Sequence, residues 1–334
     1  MRPYRYALKF SRLTRFITYF IYSRYIFHKG TEKMEFISHV LNTIGNTPLI
    51  RLVDISAGSV YAKAEYFNPG GSIKDRVAKH IVLKAEKEGL LRKGSVIVEP
   101  TSGNTGIGFA LVGVRRGYRV IVVMPEDMSD ERKKLIKALG AELILTPAEK
   151  SISGSIEKVM EIKETDPNIY VPQQFENPWN PEAHYQGTGP ELWDQMEGEI
   201  SAFVAGVGSG GTIGGAGKFL KQRNPDILLV AVEPQNSAAL LGLEPGLHKI
   251  QGIGDGFVPP VLDTSLIDEV ITVTDDDAID MARLLARKEG VLVGTSSGAN
   301  VWAALELSKR LGPGKNVTTV LPDRVERYFS TSLI

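Results

Sequence analysis

The chain has no cysteine, so disulfides and thiolate metal centres are excluded. Its five histidines, His28, His39, His80, His184 and His248, fall at no metal-ligand spacing, and no metal site is expected. Charge of either sign is not in excess: 39 basic and 39 acidic residues give a net charge of zero, and no nucleic-acid partner is expected. Long apolar runs are missing as well, so no membrane partner is expected. There is no low-complexity segment and no internal repeat. What the 334 residues do have is 43% hydrophobic content, ample for burial, and a length that suggests two domains.

The zero net charge hides an asymmetry. Residues 1–33 carry eight Lys or Arg and one acid, a net of +7 against −7 for the remainder. The run RYALKFSRLTRFITYFIYSRYIF is rich in Arg, Tyr and Phe, and its charges interrupt every apolar stretch before a spanning length of about 18 residues accumulates. Three readings stand: an organelle-type or membrane-surface amphipathic stretch, a basic tail, or upstream sequence ahead of a start at Met34. The last is favoured, because MEFISHVLNTIGNTPLIRL already reads as a beginning.

From residue 46 short apolar runs alternate with helical patterns, the rhythm of a parallel α/β sheet. The strand candidates are SVIVE, RVIVVM, AELILT, NIYVP, SAFVAG, ILLVAV and NVTTVL. Ahead of the first of these, Asp75 to Glu88 places Val77, Ala78, Ile81, Val82 and Ala85 on one face and stops at Gly89, with Ser72 as expected N-cap. Further helices are expected after Ser129 and after SSGAN. The stretch QQFENPWNPEAHYQGTGPE breaks the rhythm, which places an N-terminal α/β domain at 34–178 and a C-terminal one at 179–334, with a cleft between them.

Lys74 lies in NPGGSIKDR, at the start of the first helix. A lysine in the first helical turn sits against the positive end of the dipole, which disfavours its charged form and makes it a candidate nucleophile. Taken alone it reads first as a solvated surface lysine. A second site changes this: GVGSGGTIGGAG supplies seven glycines between Gly206 and Gly217, a loop whose bare amides can hold a phosphate at a helix N-terminus. An amine nucleophile with a phosphate cradle points to pyridoxal phosphate.

Other constellations compete. GVGSGG also fits GxGxxG after a strand, with Glu233 about twenty-five residues on, as in a dinucleotide-binding dehydrogenase. That reading gives no task to Lys74 or to EPTSGNTGIGFA. In the latter loop, Thr101, Ser102, Asn104 and Thr105 stand where a strand end presents ligands; they can bind a carboxylate or simply cap the helix. GTSSG, Gly294 to Gly298, matches a nucleophile elbow, but that chain order needs a later histidine and none follows His248.

In order along the chain, NTIGNTPLIRL, NPGGSIKDR, EPTSGNTGIGFA, QQFENPWNP, GTGPELW, GVGSGGTIGG, GIGDGF and GTSSGAN closely resemble the cysteine synthase (O-acetylserine sulfhydrylase) family, from about Ile37 to Leu333. These are pyridoxal-phosphate enzymes of the tryptophan synthase β-like fold, within the wider group containing cystathionine β-synthase. The resemblance implies a fold type II architecture: two open, mostly parallel twisted sheets flanked by helices, with the active site in the cleft. It implies that Lys74 forms the Schiff base, that Gly208, Ser209, Gly210, Gly211 and Thr212 bind the cofactor phosphate, that Asn104 meets the ring hydroxyl, and that Ser296 meets the pyridine nitrogen. Thr101, Ser102, Thr105, Gln174 and Gly252 would hold the substrate. Lys74 would take the α-proton, acetate would leave, and sulfide would add at the β-carbon.

Two positions depart from the family's pattern. Ser209 replaces a more usual threonine, and Asp255, in GIGDGF, replaces a usual small residue near the substrate's side chain. A carboxylate facing the cleft there would repel a phosphate leaving group and argue against O-phosphoserine as donor. Cystathionine β-synthase chemistry is the nearest alternative, with homocysteine in place of sulfide. By the same resemblance a homodimer, a cytoplasmic location and the C-terminal tail of serine acetyltransferase as partner are expected.

Overall fold

The computed structural model describes residues 37–56 and 59–334; the basic extension 1–33 and the start at Met34 lie outside them. The strands are β1 (Leu49–Arg51), β2 (Val60–Lys63), β3 (Val96–Pro100), β4 (Arg119–Pro125), β5 (Glu142–Thr146), β6 (Ile169–Tyr170), β7 (Ala202–Gly206), β8 (Leu228–Pro234), β9 (Glu269–Val273) and β10 (Val317–Val320). The helices are α1 (Val53–Ser56), α2 (Lys74–Lys87), α3 (Asn104–Arg115), α4 (Asp130–Ala138), α5 (Ser151–Thr165), α6 (Trp179–Ala183), α7 (Gly189–Gln195), α8 (Gly211–Arg223), α9 (Asp275–Leu284) and α10 (Thr295–Leu311). Among the described residues no helix is long and apolar enough to cross a membrane.

Two sheets form, in the orders β1-β2-β10-β7-β8-β9 and β5-β4-β3-β6. Every pairing is parallel except β1 with β2. The central strands are buried along their whole length, as in VIVEP of β3 and VTTV of β10, because helices cover both faces of a parallel sheet. All seven strands expected from apolar runs are present. The three others, β1, β2 and β9, lie in mixed polar stretches. Sheet membership does not follow a division at residue 178: β1 and β2 join the larger sheet through β2–β10, and the smaller sheet is built entirely from β3 to β6.

Helix α2 begins at Lys74 itself, one residue earlier than the pattern gave. Ile73, just ahead of it, already has helical backbone angles, and Ser72 accepts the Lys74 amide on its hydroxyl at 3.3 Å, the bond an N-cap side chain makes, as expected from the sequence. Val77, Ala78, Ile81, Val82 and Ala85 are fully buried on one face, each valine and isoleucine contributing roughly 1.5–3 kcal/mol. The helix ends before Gly89, whose positive φ of 72° suits a residue without Cβ. Gly108 lets α3 lie against the start of α2: a Cβ there would sit 2.9 Å from the Lys74 carbonyl oxygen. The sequence TSGNTGIG thereby fixes how closely the substrate loop's helix approaches Lys74.

Candidate active site

The loop after β3 and the loop after β7 both leave the carboxyl ends of parallel strands and enter helices α3 and α8, the place where open α/β sheets present ligands. They face each other across one cavity of about 430 Å³. Its lining brings together Lys74, Thr101, Ser102, Asn104, Thr105, Gln174, Gly208, Ser209, Gly210, Gly211, Thr212, Gly252 and Ser296, every site residue expected from sequence. The Lys74 Nζ donates to Ser209 Oγ at 3.1 Å, so the amine and the glycine loop are in direct contact.

Burial holds the Lys74 amine below the ordinary lysine range, opposed by the negative charges of Asp255 and Glu99. Burial also raises Asp255, countered by Lys74 and His248. Asp255 lines the same cavity, and a Cβ on Gly208 would lie 3.5 Å from its Oδ2.

The glycine loop is shaped by close approaches. Gly210 has a φ of 76°, and a Cβ on Gly208 would come within 2.4 Å of the Gly252 carbonyl oxygen. Side chains at these positions would fill the concavity ahead of α8, whose first amides have no partner within the helix. Asn180, which sequence reasoning missed, ties this loop to the substrate side: its Nδ2 donates to Ser209 Oγ at 2.9 Å and to the Gln174 carbonyl at 2.8 Å. Its only signal was a place in the QQFENPWNP motif.

On the opposite wall, Thr105 donates its hydroxyl to Gln174 Oε1 at 2.7 Å. Glu99, buried at the end of β3, accepts the Gln173 and Gln174 amides at 3.1 and 3.3 Å. Burial pushes its carboxyl up to about 8, against those two bonds and the charge of Lys74. Asn104, which lines the cavity, has its Oδ1 buried without a partner. A bound polar group satisfies such an atom, and together with the cradle and the depressed amine the site fits an aldehyde-bearing phosphate ester such as pyridoxal phosphate.

Behind α2 a buried ion network fixes the helix. Arg76 forks onto Glu65 at 2.7 and 2.8 Å and onto Glu191 at 2.6 and 2.7 Å, while Lys63 Nζ meets Glu191 at 2.8 Å. Burial favours the neutral Glu191, but the bonds and charge of Arg76, with Lys63, outweigh it and hold the carboxyl at about 2.

Of the two groups invoked by competing readings, Glu233 and Ser296, only Glu233 sits elsewhere. Glu233, required as a ribose ligand by a dinucleotide site, is buried and accepts the Leu240 amide on both oxygens, at 3.0 and 3.3 Å. It caps a short turn and does not line the cavity. Ser296 lies in the first turn of α10, where it faces the cavity.

Residues 40–323 match the family described as pyridoxal-phosphate dependent enzyme, which overturns the dinucleotide-binding dehydrogenase alternative. A cysteine synthase of Staphylococcus aureus strain Mu50 is 52% identical over 301 residues, covering 89% of this chain and 97% of the relative. Among solved structures, the O-acetylserine dependent cystathionine β-synthase from Helicobacter pylori is similar with a TM-score of 0.86 at 42% identity, over 90% of this chain and 99% of that one. Cysteine synthase from Entamoeba histolytica gives 0.86 at 40% identity, over 91% and 92%.

Proposed function

Because the chain belongs to the pyridoxal-phosphate-dependent enzyme family, we propose that it is a cysteine synthase, converting O-acetyl-L-serine and sulfide to L-cysteine and acetate by β-replacement. The fold is fold type II, two mainly parallel sheets flanked by helices. One observation carries the reading: the Lys74 amine touches the phosphate-loop serine inside a cavity that also collects Asn104, Gln174 and Ser296.

Lys74 would hold the cofactor covalently through Nζ, and the amides and hydroxyls of Gly208 to Thr212 would hold its phosphate. Asn104 would meet the ring hydroxyl and Ser296 the ring nitrogen. A serine hydroxyl, unlike a carboxylate, need not keep that nitrogen protonated. The bound cofactor supplies an electron sink conjugated to the substrate's α-carbon. Thr101, Ser102, Thr105 and Gln174 bind the substrate carboxylate, and Gly252 lies beside the substrate. Lys74 would take the α-proton on Nζ and return it to the same carbon once sulfide has added. The Cβ–O bond then breaks as acetate leaves, and a Cβ–S bond forms with sulfide.

The depressed amine would otherwise have no covalent partner, and Asp255 disfavours a dianionic leaving group, which supports an acetyl donor. The same reading carries a homodimer in the cytoplasm, with the C-terminal tail of serine acetyltransferase as the peptide to test against the cleft. Mass in solution checks the dimer.

The decisive assay offers O-acetylserine, O-phosphoserine and serine, each with sulfide and with homocysteine, to protein loaded with pyridoxal phosphate. Cysteine from O-acetylserine and sulfide is the expected main product, with visible absorbance that Lys74→Ala removes. Faster cystathionine formation from homocysteine would replace sulfide as acceptor. An absence of both products overturns the reading.

A further inference from the structure

Asp323 is fully buried and does not line the cavity, yet three segments that do line it meet on this residue. Its side chain accepts Asn104 Nδ2 at 2.7 Å and the Tyr328 hydroxyl at 2.8 Å, both on Oδ2. Its backbone forms an antiparallel bridge with Ser72, and the neighbouring Pro322 carbonyl accepts the Ile73 amide at 2.8 Å, immediately before Lys74. Its own carbonyl accepts the Gly294 amide at 3.3 Å, two residues before Ser296. A Cβ on Gly294 would meet Asp323 Oδ1 at 2.4 Å, so that glycine is what lets the α10 turn approach. The Arg132 guanidinium lies 3.9 Å from Oδ2 and 4.9 Å over the Tyr328 ring, closing the cluster from α4.

A carboxylate offers only acceptors, so the Asn104 amide must turn its NH2 toward Asp323. Oδ1 is then left buried and unpartnered, and the amide has no freedom to flip. We propose that Asp323 is a positioning residue whose carboxylate orients the Asn104 amide at the point where its backbone joins the segments bearing Lys74 and Ser296, so that all three groups converge on one cofactor. This rests on the assignment of those three residues as cofactor contacts.

The test uses the full chain loaded with pyridoxal phosphate and compares wild type, Asp323→Asn, Asn104→Ala and the double variant. In Asp323→Asn two donors compete for a single carbonyl oxygen. Cofactor affinity falls about ten-fold or more and the visible absorption band changes shape, while thermal unfolding of the cofactor-free protein stays close to wild type. The double variant binds the cofactor no more than about two-fold more weakly than Asn104→Ala, because Asp323 acts through Asn104. Additive losses, or unchanged affinity and spectrum in Asp323→Asn, overturn the proposal.

Should Asp323→Asn not fold, Tyr328→Phe takes its place. It removes one donor and keeps Asn104 paired, so affinity stays within about two-fold and the band is unchanged; a ten-fold loss puts the effect on Tyr328 and overturns the proposal. Wild-type protein that binds no pyridoxal phosphate, or a Lys74→Ala band that persists, would instead sink the underlying assignment.

Discussion

The Lys74 Nζ donates to Ser209 Oγ at 3.1 Å, joining the first residue of one helix to a loop 135 positions later in the chain. Ser209 also receives Asn180, so its hydroxyl anchors both the amine and the loop that presents Gln174. Ser209→Ala removes the acceptor for two donors and is expected to weaken pyridoxal phosphate binding about ten-fold, whereas Ser209→Thr retains the hydroxyl and stays within about three-fold. Equilibrium binding of the cofactor to the two variants checks this. Equal losses would mean that steric fit, not the hydroxyl, governs the loop.

Gly208 is the tightest point of the cradle. Its missing Cβ faces a backbone carbonyl at 2.4 Å, that of Gly252, which cannot rotate out of the way as a side chain could. Gly208→Ala must therefore move one loop or the other, at roughly 1–3 kcal/mol. A lowered melting temperature with cofactor affinity reduced at least about ten-fold is expected. Wild-type affinity in a stably folded variant would show that the loops yield freely.

The buried strands and the amphipathic face of α2 were legible in the sequence because burial leaves continuous apolar runs or a 3.6-residue period. Strands β1 and β2 were not, since they have three and four residues and carry the charges of Arg51 and Lys63; β9 is as long as β3 but only half-buried over most of its length, and starts at Glu269. Lys63 is fully buried in a strand only because Glu191, far along the chain, neutralises it. The site residues could be named from ordered motifs, but their supports could not: Asn180, Glu99 and Asp323 act through contacts spanning 29, 75 and 219 positions. No local period announces a contact of that length.

Asp255 carries the prediction about donor choice. Its carboxyl group lines the cavity close enough to Lys74 for their charges to interact. A dianionic leaving group entering that space meets a like charge, costing on the order of 1–3 kcal/mol at an effective dielectric near 20. Asp255→Ala is expected to raise kcat/KM for O-phosphoserine relative to O-acetylserine by about ten-fold or more, measured with sulfide as common acceptor. An unchanged ratio would remove Asp255 from donor selection.

Glu191 is the hinge of the ion network behind α2. Its carboxyl, held at about 2 against an ordinary 4.5, contributes stability that is complete above the ordinary value and is lost as pH falls from about 4.5 to 2. Glu191→Gln leaves Lys63 and Arg76 short of a countercharge and should cost about 3 kcal/mol at pH 7, with the acid-side loss flattened in the variant. Urea titrations from pH 2 to 7 make the comparison. Parallel curves for variant and wild type would assign the acid sensitivity to other carboxyls.

Glu99 has the opposite sign. Burial lifts its carboxyl from 4.5 to about 8, so the folded chain keeps a proton that the unfolded chain has released. Stability therefore declines as pH rises from about 4.5 to 8, by up to about 1.4 kcal/mol per pH unit for this group, and levels off above. Asp75, lifted by burial to about 7, adds a decline of the same sense that ends at lower pH. Glu99→Gln has no proton to lose, and its single carbonyl oxygen still accepts one of the two amides that Glu99 holds. In urea titrations of the cofactor-free protein between pH 5 and 9, the variant's stability should fall less steeply than wild type from pH 5 to about 8, with the two slopes alike above that. Identical slopes would mean that Glu99 is ionised throughout, held by Lys74 and the Gln173 and Gln174 amides despite its burial.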